Sequence, residues 1–216
     1  MKKRNLWICL FLLLCVCPAA AQEYTVTKSG EKKFEPLYKW GAYSGSEFSL
    51  GIGSVRSGAD DRAGRDYTSP GVIGNASILV DMSPHVASGI DYMYGGFRSS
   101  GTAPEYSLYS HHISAAFKIR ANPDGKLRVY FPLGAGGGGL FLKKRRGAAD
   151  GRTERWGLAL YAGAGLEFDI SPVAFLGAEY RYVYTFVQGG DLDEACGSNN
   201  YFGSHALMLK IGMRMF

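Results

Sequence analysis

The chain has 216 residues, enough for one domain, with 24 basic and 19 acidic residues and a net charge of +5. Three of the basic residues lie within the first four positions, and without them the balance is 21 to 19, so charge gives no reason to expect a nucleic-acid partner. Only Cys196 among the four cysteines lies beyond residue 21, which excludes an internal disulfide framework in the rest of the chain. We predict neither a metal nor a cofactor.

The first 21 residues have the pattern of a secretory signal peptide. A basic start at residues 2–4 is followed by an uncharged, almost wholly apolar run at 6–16 and by three alanines that end at Ala21. This run is shorter than the roughly 20 residues of a membrane-spanning helix, although an uncleaved anchor is the alternative interpretation. Bulky residues precede Cys15 and Cys17, which disfavours lipidation. We predict cleavage after Ala21.

Residues 22–45 form a segment of different character. Charged residues cluster at 31–35, and Tyr38, Trp40 and Tyr43 follow them. This composition does not favour a buried or membrane strand, so we predict a polar segment outside the main domain. The alternative is that the segment adds two strands to the eight described next.

Alternating side chains predict eight strands in residues 46–216. The clearest is 156–170, where every second residue from Trp156 to Ile170 is apolar and the intervening residues are mostly small or charged. In 127–142, a run of glycines at 136–139 weakens strand preference but suits a tightly curved wall. The predicted strands are 46–56, 70–82, 86–97, 107–119, 127–142, 156–170, 174–187 and 204–216.

The connections between these strands alternate in length. The short ones are 83–85, 122–125 and 171–173, and the long ones are 57–69, 98–106, 143–155 and 188–203. A transmembrane barrel has short turns at one end, long loops at the other and an even number of strands, whereas a soluble sandwich has no reason to sort its loops. The sequence therefore predicts an all-β, antiparallel, up-and-down transmembrane β-barrel of about eight strands.

The chain ends on an aromatic residue, Phe216. With this ending, the strand number and the loop pattern, residues 46–216 resemble the small outer-membrane barrels of the OmpA/OmpX type. The resemblance implies a bacterial outer-membrane location, a periplasmic position for 22–45 and an assembly machinery that reads the terminal aromatic. One departure is that Ile211 and Met213 oppose Phe216 in alternation, which a bulge or an overhang would reconcile.

The residues that oppose the apolar faces point into the barrel lumen. They include acids and bases in nearly equal number, which predicts an ion-pair network in a lumen just wide enough for side chains. The alternative is a narrow solute channel. The predicted main network comprises Lys118, Arg128, Glu167, Asp169, Glu179 and Arg181, and further inward charges are Asp81, Asp91 and Lys210.

His112 and Ser114 lie two residues apart on one strand face. The pair resembles the His-x-Ser pair of lipid A deacylases, which are eight-stranded barrels, and this resemblance implies a lipid A-modifying enzyme as an alternative function. The catalytic pair of those enzymes faces lipid, whereas Ile113 takes that side here. We therefore predict a structural histidine in the lumen.

The 143–155 segment is the most basic part of the chain. It begins with Lys143, Lys144, Arg145 and Arg146, and the predicted topology directs it outward, over lipopolysaccharide. Its alternatives are a phosphate-binding loop and a solvated hairpin tip. We predict a monomeric protein with a structural or surface-interaction role, whose partners are outer-membrane lipids and lipopolysaccharide.

Overall fold

The computed structural model describes residues 22–26, 32–36, 45–57, 70–98, 106–146, 149–187 and 201–215. Among these residues no helix has the length and apolarity needed to cross a bilayer. The described elements are strands β1 (Gln22–Val26), β2 (Lys32–Pro36), β3 (Ser46–Ser57), β4 (Gly71–Asp81), β5 (Val86–Arg98), β6 (Tyr106–Arg120), β7 (Leu127–Arg146), β8 (Ala149–Ser171), β9 (Ala174–Val187) and β10 (Tyr201–Met215).

Strands β3 to β10 form a closed antiparallel barrel. Each strand pairs with the next along the chain, and β10 returns to pair with β3, which confirms the eight-stranded prediction. Strands β1 and β2 pair with each other in a separate two-stranded sheet. The ten-stranded alternative is therefore wrong, because the barrel ladder closes without them.

The predicted strands match the observed ones closely, but the loop predicted at 143–155 is wrong. Strand β7 continues to Arg146 and β8 begins at Ala149, with Lys143 paired to Arg152 between them. Charged side chains are compatible with a hydrogen-bonded hairpin in water. The two strands therefore stay paired beyond the hydrocarbon, as a two-stranded ribbon. The signal peptide, Cys196, Phe216 and residues 58–69, 99–105 and 188–200 lie outside the described residues.

The barrel wall has an apolar outer face and a polar inner face. Large apolar side chains point outward with high exposure, for example 67% at Ile52 and 70% at Leu209. Inward neighbours such as Glu47, Lys118 and Glu167 are buried. An apolar band of this extent around a whole molecule is unfavourable in water and suits hydrocarbon, where a closed sheet also satisfies every backbone group.

Strand β10 shows the same division of faces. Lys210 and Arg214 are buried inside, whereas Ile211 and Met213 are exposed outside. Its register with β3 runs without a break to Met215, and its register with β9 is also regular. No bulge within the described part of β10 reconciles the strand with Phe216.

Polar side chains close the short turns. The amide of Asn122 bridges two backbone groups: Oδ1 accepts from Val129 N at 2.7 Å and Nδ2 donates to Leu127 O at 2.5 Å. Ser83 Oγ accepts from Val86 N at 3.0 Å, and Ser171 Oγ accepts from Ala174 N at 3.0 Å. These contacts satisfy backbone N–H and C=O groups that would otherwise lack hydrogen-bond partners in a tight turn.

Inward glycines make space for the largest luminal side chains. The ring of Tyr161 lies where a Cβ at Gly134 would stand, and the ring of Tyr130 lies over Gly165 in the same way. A Cβ at Gly138 would come within 2.8 Å of the His112 ring. Within the run of glycines at 136–139, Gly138 therefore makes room for a luminal side chain, in addition to the role of the run in the curvature of the wall.

Candidate functional site

A chain of ion pairs crosses the lumen at the end that carries the short turns. Its links include Lys118 to Glu47 at 2.6 Å and Arg214 to Asp169 at 2.6 Å. Acids and bases alternate along it, so that almost every charge lies between two of opposite sign. In order, the chain comprises Asp81, Arg120, Glu47, Lys118, Glu167, Arg214, Asp169 and Arg128.

A second cluster lies around Arg181. Its guanidinium donates to both carboxylate oxygens of Asp91, at 2.8 and 3.0 Å, and also pairs with Glu179. Asn75 Nδ2 donates to Asp91 at 2.9 Å. A two-pronged arginine–carboxylate contact is one of the stronger side-chain interactions, because both donors and both acceptors are aligned.

Glu179 joins this cluster to two further groups. Its Oε2 accepts from the Tyr130 hydroxyl at 2.7 Å and from Lys210 Nζ at 3.2 Å. Both carboxylate oxygens of a fully buried side chain are therefore used. This arrangement fixes the Glu179 rotamer as well as its charge.

Aromatic rings cover the luminal cations. The Arg181 guanidinium lies 4.4 Å from the centroid of the Tyr161 ring, and Lys118 Nζ lies 4.6 Å from that of Tyr130. These contacts are within the range of cation–π attraction. The rings fill space between charged groups that would otherwise admit water.

The two clusters together contain six acids and six bases, so their formal charges cancel. This balance follows from energetics, because a buried charge without a partner costs several kcal/mol. The acids are Asp81, Asp91, Glu47, Glu167, Asp169 and Glu179, and the bases are Lys118, Arg120, Arg128, Arg181, Lys210 and Arg214.

The structure gives each of the six network residues named from the sequence an ion-pair partner. Arg128 and Asp169 lie at the rim and stay partly exposed, whereas the other four are buried. Sequence reasoning missed Glu47 and Arg120. The alternation already placed Glu47 on the inner face, and Arg120 lies one residue beyond the predicted end of its strand.

His112 and Ser114 are both buried inside the barrel. His112 Nε2 lies 2.9 Å from Thr185 Oγ1, on β9. Neither His112 Nδ1 nor Ser114 Oγ has a hydrogen-bond partner among the described residues, so the two side chains do not bond to each other. Both side chains point away from the outer face of the barrel.

The basic hairpin, which we define as residues 143–155, is largely strand rather than loop. Lys143 points outward from β7 and is exposed. Lys144, Arg145 and Arg146 follow it in the ladder that joins β7 to β8, and their side chains lie outside the described residues. The basic residues at the start of the hairpin therefore belong to a paired strand rather than to a loop.

An internal repeat relates two parts of the barrel. Residues 81–94 read DMSPHVASGIDYMY and residues 169–182 read DISPVAFLGAEYRY, with the same spacing throughout. Corresponding contacts recur, since Arg120 pairs with Asp81 as Arg214 pairs with Asp169. The repeat is visible in the sequence, but both of these arginines lie outside it, so the paired contacts emerge only from the structure.

An eight-stranded closed barrel with an apolar exterior and a charged interior defines an integral membrane barrel of the outer-membrane class. The chain belongs to the family of outer membrane protein beta-barrel domains, whose model matches residues 8–203. The resemblance to small outer-membrane barrels is thereby confirmed. The protein is located in the outer membrane, which implies a Gram-negative origin.

Solved structures of outer-membrane proteins share the fold of this barrel. Neisserial surface protein A is 16% identical with a TM-score of 0.53, and the match covers 78% of this chain and 96% of that one. Ail, the attachment invasion locus protein of Yersinia pestis, is 18% identical with a TM-score of 0.51, over 80% and 99% of the two chains. The outer membrane enzyme PagL matches at 13% identity and a TM-score of 0.42, over 76% and 97%. No curated protein sequence matches the chain significantly.

Proposed function

We propose that the protein is a non-conducting outer-membrane scaffold that anchors surface segments and has no enzymatic activity of its own. The observation that carries the proposal is the contact of Arg181 with Asp91. Their strands, β9 and β5, lie opposite each other, with three strands between them in either direction. One guanidinium therefore bridges the lumen at its middle.

The energetics of the lumen support closure. A continuous water path would need space beside Arg181, which is 2% exposed and has Tyr161 against one face. The chain of ion pairs around Lys118 forms a second barrier nearer the short turns. Opening either cluster would separate partnered charges in a narrow, weakly hydrated space, at a cost of several kcal/mol.

The position of His112 supports the non-enzymatic part of the proposal. Its ring is buried, bonded to Thr185 and turned away from the membrane. A lipid A substrate lies outside the wall, where His112 and Ser114 do not reach it. The surface role is then assigned to the segments at the outer end of the barrel, among them the basic hairpin.

Planar-bilayer conductance tests the closed lumen. Folded protein should give no current steps above the lipid background. The double variant Asp91→Ala/Arg181→Ala removes only the barrier at the middle of the lumen, so it should stay closed. A quadruple variant that also carries Glu47→Ala and Lys118→Ala removes one acid and one base from each barrier, so it should admit small ions without a change in net luminal charge. Well-defined steps from wild-type protein, in a sample that migrates as folded without boiling, would overturn the proposal.

A further inference from the structure

A groove of about 780 Å³ lies on the outer face of the barrel, across β5 to β8. It points toward the membrane rather than into the lumen, and the luminal network does not use it. Its walls are mainly aromatic, with Ile113 at one end and Lys143 at the other. The principal wall residues are Tyr92, Tyr94, Tyr109, His111, Phe141 and Trp156.

The aromatic walls hold one another in place. The His111 ring lies 5.0 Å from that of Tyr94 and meets Phe141 edge-on at 5.1 Å, and Phe141 meets Trp156 edge-on at 5.5 Å. The Tyr92 hydroxyl lies 2.8 Å from His111 Nδ1. Such contacts fix the rings before any ligand arrives, which lowers the entropy cost of binding.

Two glycines of β7 lie on the outer face beside the groove. Gly139 stands between His111 and Trp156 in the ladder, and Gly137 stands beside Ile113. A Cβ built at Gly137 would meet no atom within 4 Å. The outer surface is therefore open at Gly137, whereas the rings of Phe141 and Trp156 cover Gly139.

The groove lies toward the end of the barrel that carries the long connections. His111 is nearer to Tyr106 than to Arg120 along β6, and Phe141 is nearer to Arg146 than to Leu127 along β7. In an outer-membrane barrel this is the outer end, so the groove opens to the outer leaflet. The lipid of that leaflet is lipopolysaccharide.

Charge identifies the occupant more closely. Lys143 is exposed at the outer end of the groove, where β7 continues into the basic hairpin. Ile113, at the opposite end, lies deeper in the hydrocarbon and is 57% exposed. A cation above an apolar channel complements a phosphorylated headgroup above an acyl chain.

The opposite wall carries a matched aromatic pair in a different setting. Tyr180 and His205 repeat the Tyr92–His111 contact, with 2.7 Å between the hydroxyl and Nδ1. Beyond them, Tyr184 stacks on Tyr201 at 5.1 Å and meets Phe186 at 4.4 Å, so rings occupy the outer positions. A general aromatic belt explains both walls, but of these two walls the described residues of the β5 to β8 side combine rings with the open surface at Gly137 and with Lys143.

We propose that this groove binds lipid A, the phosphorylated and acylated anchor of lipopolysaccharide. One acyl chain runs from the level of Lys143 down to Ile113 and the open surface at Gly137, and Lys143 pairs with a phosphate. This site is independent of whether the lumen is closed, because its residues face the other side of the wall.

Native mass spectrometry of the full mature protein, released from detergent after incubation with defined lipids, tests the site. Wild-type protein should retain one bis-phosphorylated lipid A in preference to dephosphorylated lipid A and to phosphatidylglycerol. Lys143→Gln should weaken retention about tenfold, since it removes a charge-assisted contact. Gly137→Leu should abolish retention, because the new side chain would occupy the open surface beside Ile113 on which the acyl chain lies.

The repeat supplies the matched control. Tyr92→Ala should lose lipid A, whereas Tyr180→Ala, which removes the corresponding ring from the opposite wall, should retain it as wild type does. Every variant is first shown to be folded by its migration without boiling. Equal loss in both tyrosine variants, equal retention of dephosphorylated lipid A or phosphatidylglycerol, or unchanged retention in Gly137→Leu would overturn the proposal.

Discussion

Arg181 is the residue on which the middle of the lumen depends. It is among the largest fully buried side chains of the described chain, and both Asp91 and Glu179 contact it. Burial of a guanidinium is tolerated only because these two carboxylates and the Tyr161 ring replace its water. Without Arg181, Asn75 is the remaining hydrogen-bond donor to the Asp91 side chain within the part of the chain that the structure describes.

We expect Arg181→Met to lower the free energy of unfolding by about 3–5 kcal/mol, because it leaves a buried carboxylate unpaired. Urea titration in detergent micelles, followed by circular dichroism, measures this change. The matched control is Arg128→Met, which also removes one arginine from an ion pair. Its partner Asp169 is partly exposed and keeps Arg214, so the cost should stay below about 1 kcal/mol. Equal losses in the two variants would contradict the argument.

For single residues, the sequence predicts which side chains face the lumen but not which of them form ion pairs with each other. Alternation alone turned Lys118 and Glu167 inward, because their neighbours Phe117 and Phe168 must face lipid. Their contact joins β6 to β8 across an intervening strand, so it depends on the stagger of the closed barrel. That stagger arises from all eight registers together and cannot be read from a single strand.

Strand β7 is the element whose glycines have the most distinct roles. Within the run Gly136 to Gly139, Gly138 lies on the buried luminal face and Gly137 on the exposed outer face. A Cβ at Gly138 would approach His112, Ala159 and Thr185 within 2.9 Å, whereas one at Gly137 would meet nothing. Adjacent glycines therefore differ in what they tolerate.

We expect Gly138→Val to destabilise the barrel by about 1–3 kcal/mol, because the luminal neighbours must shift to admit the new side chain. Gly137→Val should leave stability within about 0.5 kcal/mol of wild type. Both variants add the same side chain to the same strand, so strand propensity cancels in the comparison. The folded fraction without boiling, measured across a urea series, distinguishes them, and a larger loss at Gly137 would show the faces of β7 to be reversed.

The ends of β7 and β8 mark where sequence reasoning fails for an element. Apolar alternation stops near Leu142 because the strands leave hydrocarbon, and the prediction took that point as the end of the strand. The backbone ladder has no such limit and continues to Arg146. The side-chain pattern shows whether a part of a strand lies in hydrocarbon or in water, whereas backbone hydrogen bonding determines where the strand ends.

The whole barrel is a closed set of hydrogen bonds that begins at Ser46. Strand β3 pairs with β10 from Ser46–Met215 to Ser57–Ser204 and with β4 on its other side. Every barrel strand thus has two partners within residues 46–215. Strands β1 and β2 contribute to a different sheet and belong to a separate unit, residues 1–43.

A mature protein that lacks residues 22–43 should therefore fold into the same barrel. We expect it to resist SDS at room temperature, to shift in migration on boiling and to unfold at the same urea concentration as the longer protein. The reason is that a closed sheet leaves no edge for an additional strand to stabilise. If the shortened protein fails to show the shift while the longer one refolds beside it, then the N-terminal segment takes part in closure and the eight-stranded ladder is not sufficient for a stable barrel.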